Sequence, residues 1–453
     1  MSNQNEIDDI LNELKDKRKA ESKPPVRKSA DMDFAKNDET KMKTQNNNFS
    51  IINDSFKNNI PKEVDLNQIY TDDYDEDEPD DKKKKIIIIA VIAVLAVALI
   101  VGGIFIFAKN KDKEPETTTT PTTSTTAPTQ APVKVLNPLT GEDAYNASAV
   151  GKRPVACVVE NAAAARPQWG IADNSNPPDI ILEGEVEGGE TRMLWFYADY
   201  TALPSQIGPV RSARPPFIRF SELFDSIFIH WGQSSSKDNY VGADTVFQTD
   251  NVDHINQMSY SDKVGLFGRD SSRGVSSEHT GVLYGDKLEA AIENSGFRTE
   301  ADESSFTKFS FNEEDKPVGT ESCTAFGLTF SSNTKTRDWT YNAEDKMYHS
   351  SDYKTDVARK NLLVLYDTTQ YVNKSNYGGS GRTEVYCNYE LDGGSGKLVS
   401  LGTITEITWS VENGVLVIKD ANGKDVSLNP GTTWIGYGSS NHGGTDKNNT
   451  PAQ

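Results

Sequence analysis

Cysteine is scarce: Cys157, Cys323 and Cys387 are the three in 453 residues. An odd, widely spaced set builds no disulfide framework, leaves at least one thiol unpaired and fits no zinc or redox spacing. Small buried apolar residues are the plainer reading. Positive charge is short as well. Lys and Arg number 47 against 67 Asp and Glu, a formal net charge of −20, and no basic face offsets it, which argues against nucleic acid as a partner. The familiar catalytic signatures are missing too. There is no Gly-x-Ser-x-Gly elbow, no His-Glu-x-x-His helix and no Ser-x-x-Lys followed by Lys-Thr-Gly. Gly393 to Lys397 lacks the first glycine of a phosphate loop and reads as a turn. Nothing calls for a cofactor or a metal.

What the chain does have is an uncharged run from Ile86 to Ala108, preceded by Lys82 to Lys85. At about 1.5 Å per residue it reaches roughly 34 Å as a helix, enough to cross the apolar core of a bilayer. It lies too deep to be a cleavable signal peptide, and the first cysteine, Cys157, is too far on to be a lipid-attachment site. The run therefore reads as a single membrane span. Basic residues on its two sides nearly balance, so orientation rests on the segment beyond the span. Thr117 to Pro132 is almost wholly Thr, Pro, Ser, Ala and Gln, a stalk composition that holds a domain away from a membrane. The N-terminus is expected in the cytoplasm and the C-terminal part outside the plasma membrane.

The expected organisation is a disordered acidic tail over 1–85, the span over 86–108 and the stalk over 109–134. A mixed α/β ectodomain comes next over 135–304, then a strand-rich C-terminal domain over 305–438 and a frayed end over 439–453. The fold class is α+β. Inside the tail, Ile7, Ile10, Leu11 and Leu14 form a narrow apolar stripe among acidic residues. Over residues 6–15 this is either a docking helix for a cytosolic partner or a transient helix with none.

In the ectodomain, Pro154 to Glu160 and Ser226 to Gly232 have strand length, and Pro215 to Phe224 and Gly281 to Asn294 have helical spacing, the second closed by Ser295-Gly296. Ile180 to Glu187 and Glu190 to Asp199 flank Gly188-Gly189, which reads as a two-residue hairpin turn. That register opposes Glu187 to Glu190, Glu185 to Arg192 and Glu183 to Leu194. Glu183, Glu185 and Glu187 then line one face as a carboxylate row, and Leu182 and Val186 the other. A solvated face is the usual fate of such a row. Against it stand the directly opposed glutamates and the nearby Arg211 and Arg214, which share a face if their segment forms a helical turn. Either the arginines pair with the glutamates structurally, or the two groups line a polar cleft.

After Ser305, short strand-like runs recur: Ala325 to Phe330, Trp339 to Tyr341, Leu362 to Tyr366, Thr383 to Glu390, Thr403 to Trp409, Val415 to Lys419 and Trp434 to Tyr437. Asp420 to Gly423 and Asp392 to Gly394 are turn candidates. A small twisted sheet or sandwich packed against the first domain is expected.

Several ordered motifs resemble one family. Arg153-Pro-Val-Ala, Glu160-Asn161, Ala165-Arg-Pro-Gln, Val186-Glu-Gly-Gly-Glu-Thr-Arg192 and Ile207-Gly-Pro-Val-Arg-Ser-Ala-Arg214 are similar to the first domain of the YerB-like lipoproteins. Trp339-Thr-Tyr341, Tyr348, Asn361-Leu-Leu-Val, Gly394-Ser-Gly-Lys397, Ile407-Thr-Trp409 and Leu428 to Trp434 resemble its C-terminal domain. The resemblance covers roughly 135–438 and implies a bacterial envelope protein with a two-part domain of unknown function. It supplies no catalytic residues. Family members are typically lipid-anchored, whereas this chain has a span. The stretch Ser276 to Thr280 stands where the family tends to have Pro-His-Asn.

His230 closes an apolar strand, and Arg269, Asp270, Arg273 and His279 come later in the chain. With Glu183, Glu185, Glu187, Glu190, Arg192, Arg211 and Arg214 they are the candidate ligand-binding residues. A histidine is the usual general base but needs a partner in reach, and a strand-end histidine more often makes a structural hydrogen bond. Glutamates two apart fall near the separation used by inverting glycosidases, a spacing many strands share. The expected role is a binding or assembly factor at the cell wall, holding a wall component or an envelope protein. The alternative is an enzyme acting on peptidoglycan through Glu and His as acid and base.

Overall fold

A computed structural model describes residues 135–451 apart from residue 144. The expected acidic tail with its 6–15 segment, the expected span 86–108 and the stalk lie outside the described residues. Among those described, no helix is long and apolar enough to cross a membrane.

The first part of the chain supplies β1 (Val155–Glu160), β2 (Ile180–Glu185), β3 (Thr191–Tyr197), β4 (Ile227–His230), β5 (His254–Asn256), β6 (Phe267–Arg269) and β7 (Gly281–Tyr284). Its helices are α1 (Pro215–Glu222), α2 (Ala243–Thr249) and α3 (Leu288–Ser295). The second part supplies β8 (Ala325–Thr329), β9 (Thr336–Asn342), β10 (Met347–Ser350), β11 (Val357–Arg359), β12 (Asn361–Asp367), β13 (Thr369–Lys374) and β14 (Glu384–Tyr389). It closes with β15 (Gly394–Ser400), β16 (Thr403–Glu412), β17 (Val415–Asp420), β18 (Thr433–Ser439) and β19 (Thr445–Asn448). The architecture is α+β.

The two parts share one sheet instead of merely packing together. Its strand order runs β16-β15-β12-β18-β2-β3-β1-β4-β5 through an eleven-stranded sheet. The seam is the parallel pairing of β18 with β2, from Ile180↔Thr433 to Gly184↔Tyr437. Every residue of β2, its two glutamates included, is buried, so a partner strand on its free side satisfies backbone groups that water cannot reach. Strands β1, β2, β4, β5, β12 and β18 all point the same way, with β3 antiparallel between β1 and β2.

Alternation along each strand sorts the core into two faces. Cys157, Val159, Ile181, Trp195 and Trp434 face a layer built by β8 to β11 with β19 (Phe326, Leu328, Trp339, Tyr348) and by Ile292 of α3. Val158, Leu182, Leu194, Phe196 and Ile435 face Phe217, Phe220 and Phe247 of α1 and α2. All three cysteines are buried and free.

Several sequence expectations change. Gly281 to Tyr284 is a strand paired to Gln206–Ile207 and β6, with α3 starting only at Leu288. Pairing and burial of Val282 and Leu283 override the helical spacing. Gly296, at φ 68°, does close α3 as the Ser-Gly pair suggests. Gly394 to Ser400 is a strand, not a turn, pairing with both β12 and β16. The end expected to fray carries β19, whose backbone pairs with β8 from Phe326↔Asn448 to Thr329↔Thr445.

Candidate functional site at the carboxyl edge of the sheet

Because six strands run parallel, their carboxyl ends gather at one edge, where open α/β sheets characteristically bind ligands. Glu160, Glu185, His230, Asn256, Asp367 and Ser439 are the last residues of β1, β2, β4, β5, β12 and β18. In β1 and β4 an apolar interior ends in a polar residue at this edge, whereas β2 carries a second acid, Glu183, within the strand.

The β2–β3 hairpin fixes which acids reach this edge. Its loop is Glu187-Gly188-Gly189, one residue wider than the sequence reading, with both glycines at positive φ and the Val186 amide donating to Glu190 O at 2.8 Å. The register shifts by one: Glu183 faces Met193, Gly184 faces Arg192 and Glu185 faces Thr191. Arg192 also lies opposite Glu160 of β1. The expected solvated row does not form, since Glu183 and Glu185 are buried and Glu187 is half-buried. Glu190 alone is exposed.

Glu183 is the hub of a closed network joining the two parts. It accepts from Arg337 (Nη2, 2.6 Å; Nε, 3.2 Å), Tyr353 (2.7 Å), Trp434 (3.2 Å), Asn161 (2.8 Å) and Thr191 (2.8 Å). Burial opposes its charge, and Arg337 overcomes that to hold the carboxyl below its ordinary value. With every lone pair used, this group is built for structure. Glu185 accepts from Tyr371 at 2.8 Å and Asn333 at 3.4 Å, again from the second part.

Arg211 and Arg214 do not share a helical turn. Their segment runs extended, with Arg211 N donating to Val158 O at 3.0 Å, and α1 begins with Pro215-Pro216, which keeps Arg214 in the β region. The two side chains therefore diverge. Arg214 donates Nε to Glu187 Oε2 at 3.0 Å and its Nη2 pairs with Oε1, while its guanidinium lies over Tyr386 at 5.3 Å. Burial would raise the Glu187 carboxyl, but Arg214 and then Arg192 hold it at about 2.

Arg211 turns instead to Glu160, which the sequence reading placed at a strand end and in a family motif but not among the candidate site residues. Arg211 Nε is 3.6 Å from Glu160 Oε1, and His279 Nδ1 lies 3.0 Å from both carboxylate oxygens. Glu160's side chain is 6% exposed, His279's 16% and Arg211's 26%. A buried carboxylate is thus reached from outside through an imidazole and a guanidinium. Glu278 flanks both: its carboxylate lies 3.4 Å from His279 Nε2, and its backbone oxygen accepts from Arg211 Nη1 at 3.0 Å.

The remaining candidates lie apart from this centre or at its border. His230 is buried, Nδ1 donating to Gly232 O at 2.6 Å, which leaves Nε2 to accept from His254 at 2.8 Å. Phe247 stacks on both rings, and burial pushes His230 down to about 3. Its place is structural. Arg269 donates to Ser277 O and lies over Trp231 at 4.6 Å. Arg273 donates to Ala165 O at 2.9 Å and lies over Trp169 at 3.4 Å. Asp270 accepts from the Ser272 amide at 2.9 Å and closes its own turn. Among the described residues, no group of three or more His, Cys, Asp or Glu side chains is placed to hold a metal ion.

Residues 139–298 match the family described as "Protein of unknown function (DUF3048) N-terminal domain", and residues 326–435 match its C-terminal domain. The chain belongs to this two-part family. A Bacillus subtilis protein named "Putative lipoprotein YerB" is 30% identical over 316 residues, which span 67% of this chain and 86% of that protein. The crystal structure of YerB protein from Bacillus subtilis aligns with a TM-score of 0.55 at 26% identity, covering 69% of this chain and 100% of that one. The hub and edge residues Glu160, Asn161, Glu183, Arg192, Arg211 and His279 all fall within the first matched segment, and Arg337, Tyr353 and Trp434 within the second.

Proposed function

We propose that this chain is a membrane-anchored extracytoplasmic binding or assembly factor that holds a cell-wall component at the carboxyl edge of its sheet. The single observation that carries the reading is the meeting of Glu160, His279 and Arg211 there, a buried acid behind a half-buried base and cation. The Glu183 network, fully saturated, holds the scaffold and leaves the neighbouring edge to a ligand. The apolar run 86–108 and the Thr/Pro stalk support anchorage by one span with the described residues outside. The name of the Bacillus subtilis relative supports an envelope setting.

Full-length chain in detergent should co-sediment saturably with purified cell wall. Protease added to wall-stripped cells should remove residues 109–453 and spare the tail. Failure to pellet at any wall concentration would remove the binding reading, and a protected C-terminal part would invert the topology.

One observation favours a second reading. His279 presents Nδ1 to the buried Glu160 carboxylate, which orients the ring as a general base is oriented, while Nε2 lies 3.4 Å from the exposed Glu278 carboxylate. An enzyme acting on peptidoglycan would release soluble fragments from purified wall, and Glu160→Gln would stop the release. A binding factor leaves the wall intact.

A further inference from the structure

The carboxyl edge holds more donor capacity than its own acids use. Arg192 is 7% exposed, yet its one hydrogen bond is Nη1 to Ser212 O at 2.8 Å, and its nearest carboxylate oxygen, Glu187 Oε1, is 3.9 Å from Nη2. That oxygen is already engaged by Arg214. Arg211 Nε is buried with no hydrogen-bond partner, standing 3.6 Å from Glu160, and its Nη2 is 4.0 Å from Glu278 Oε2. Three guanidinium groups from β3 and the segment before α1 thus meet three carboxylates, Glu160, Glu187 and the exposed Glu278, yet Arg192 and the Nε of Arg211 have no carboxylate within hydrogen-bond reach. Burial, and after it the charge of Arg214, pushes Arg192 down to about 10, while Glu187 and Glu160 recover only part of the loss. A buried charge kept short of hydrogen-bonding partners is expensive.

We infer that Arg192 and Arg211 together bind an oxyanion, a carboxylate or phosphate group carried by the wall ligand. Guanidinium forks match both groups, since each presents two oxygens to parallel N–H donors. The Arg192 side chain is locked by its strand and by Ser212, so its free donors are already oriented and little entropy is lost on binding. Arg211, at the rim, supplies the second fork. Glu160, held by His279, keeps Arg211 turned toward the sheet and is itself the acceptor that an incoming oxyanion joins. This deepens the wall-binding reading, on which it rests for the source of the ligand.

Calorimetric titration of the full-length chain in detergent tests it with two probes, inorganic phosphate and a short N-acetylated peptide with a free C-terminal carboxylate, the peptide amide serving as blank. Saturable millimolar or tighter binding of either probe, weakened by salt, supports the inference, and which one binds names phosphate polymer or peptide terminus as the source. Arg211→Gln, a change at a half-buried position, should weaken that binding roughly tenfold or more, the loss of one charge-assisted hydrogen bond. Arg192→Gln should do the same. Lys152→Gln, which removes a remote pair with Glu300, should leave it unchanged. The inference is overturned if neither probe binds the wild-type chain, or if folded Arg211→Gln binds as well as wild type. Wall co-sedimentation separates the two levels. A chain that pellets with wall but ignores both probes keeps the binding reading and loses the oxyanion. A chain that binds phosphate but not wall keeps the oxyanion and loses the wall.

Discussion

Arg337→Met should be among the most destabilising single changes in the described residues. The guanidinium donates Nη2 and Nε to Glu183 at 2.6 and 3.2 Å, and Glu183 is wholly buried in the seam between the two parts. Each charge-assisted bond contributes about 1.5–3 kcal/mol. Stranding a buried carboxylate by removing its cation costs about 3–5 kcal/mol in all. Tyr353, Trp434, Asn161 and Thr191 still donate, so the fold survives with a weakened hub. Urea unfolding followed by fluorescence of the buried Trp195, Trp339 and Trp434 reads the loss directly. In a unit of this size, each kcal/mol also lowers the melting temperature by roughly 2–4 °C. The sign with pH is fixed. Glu183's carboxyl sits below its ordinary value, so its contribution is present above about pH 4.5 and is lost as pH falls below that. Without Arg337 that carboxyl rises, and acid unfolding should begin at higher pH. Pairing Arg337→Met with Glu183→Leu should recover part of the stability, the unsatisfied Tyr353, Trp434 and Asn161 donors keeping the rest. A loss under about 1 kcal/mol, the scale of an exposed pair, would refute the hub.

His230, held near pH 3 against an ordinary value of 6.5, makes the fold bind fewer protons than the unfolded chain between those limits. Stability should therefore fall on acidification from pH 6.5 toward 3, by about 1.4 kcal/mol per unit, and thermal melts of His230→Asn should lose that slope. His254, lowered by the same burial, acts in the same direction. Gly189→Ala should destabilise more than Gly188→Ala by chemical denaturation, although both have positive φ. A Cβ on Gly189 would stand 2.5 Å from Asn333 O, whereas nothing lies within 4 Å at Gly188, so the second change costs only the left-handed conformation, about 1–2 kcal/mol.

Much of the first part was legible because its strands are buried on both faces. Pro154 to Glu160 and Ser226 to Gly232 read as short apolar runs and hold β1 and β4, and the helical spacing of Pro215 to Phe224 marks α1. In the second part, each strand-like run named from the sequence after Ser305 falls on a strand. What spacing could not convey was partnership. Gly281 to Tyr284 satisfies a helical period, yet a sheet edge claims its backbone. The β2–β3 turn carries two glycines compatible with two loop widths, and Gly189 packs against Asn333 from more than a hundred residues on. The glutamates and arginines that the sequence singles out divide into separate pairs. Glu183 meets Arg337, Glu187 meets Arg214, and Arg211 meets Glu160. Arg337, Tyr353 and Trp434 were invisible as partners because nothing local in their strands marks a buried carboxylate across the seam. Glu160 carried a usable signal, an acid and an amide ending an otherwise apolar strand, the pattern of a residue at a sheet's carboxyl edge.

Glu160→Gln tests the account most directly. The change is nearly isosteric at a 4% exposed position and removes the charge shared by His279 and Arg211 without emptying space. Co-sedimentation of the full-length variant with purified cell wall, alongside its thermal melt, is the measurement. The account predicts a cooperative melt like wild type's and a roughly tenfold or greater loss of wall affinity, since the His279 imidazole and the Arg211 guanidinium lose the group that positions them. A folded Glu160→Gln chain that binds wall as tightly as wild type would contradict the assignment of this edge as the site.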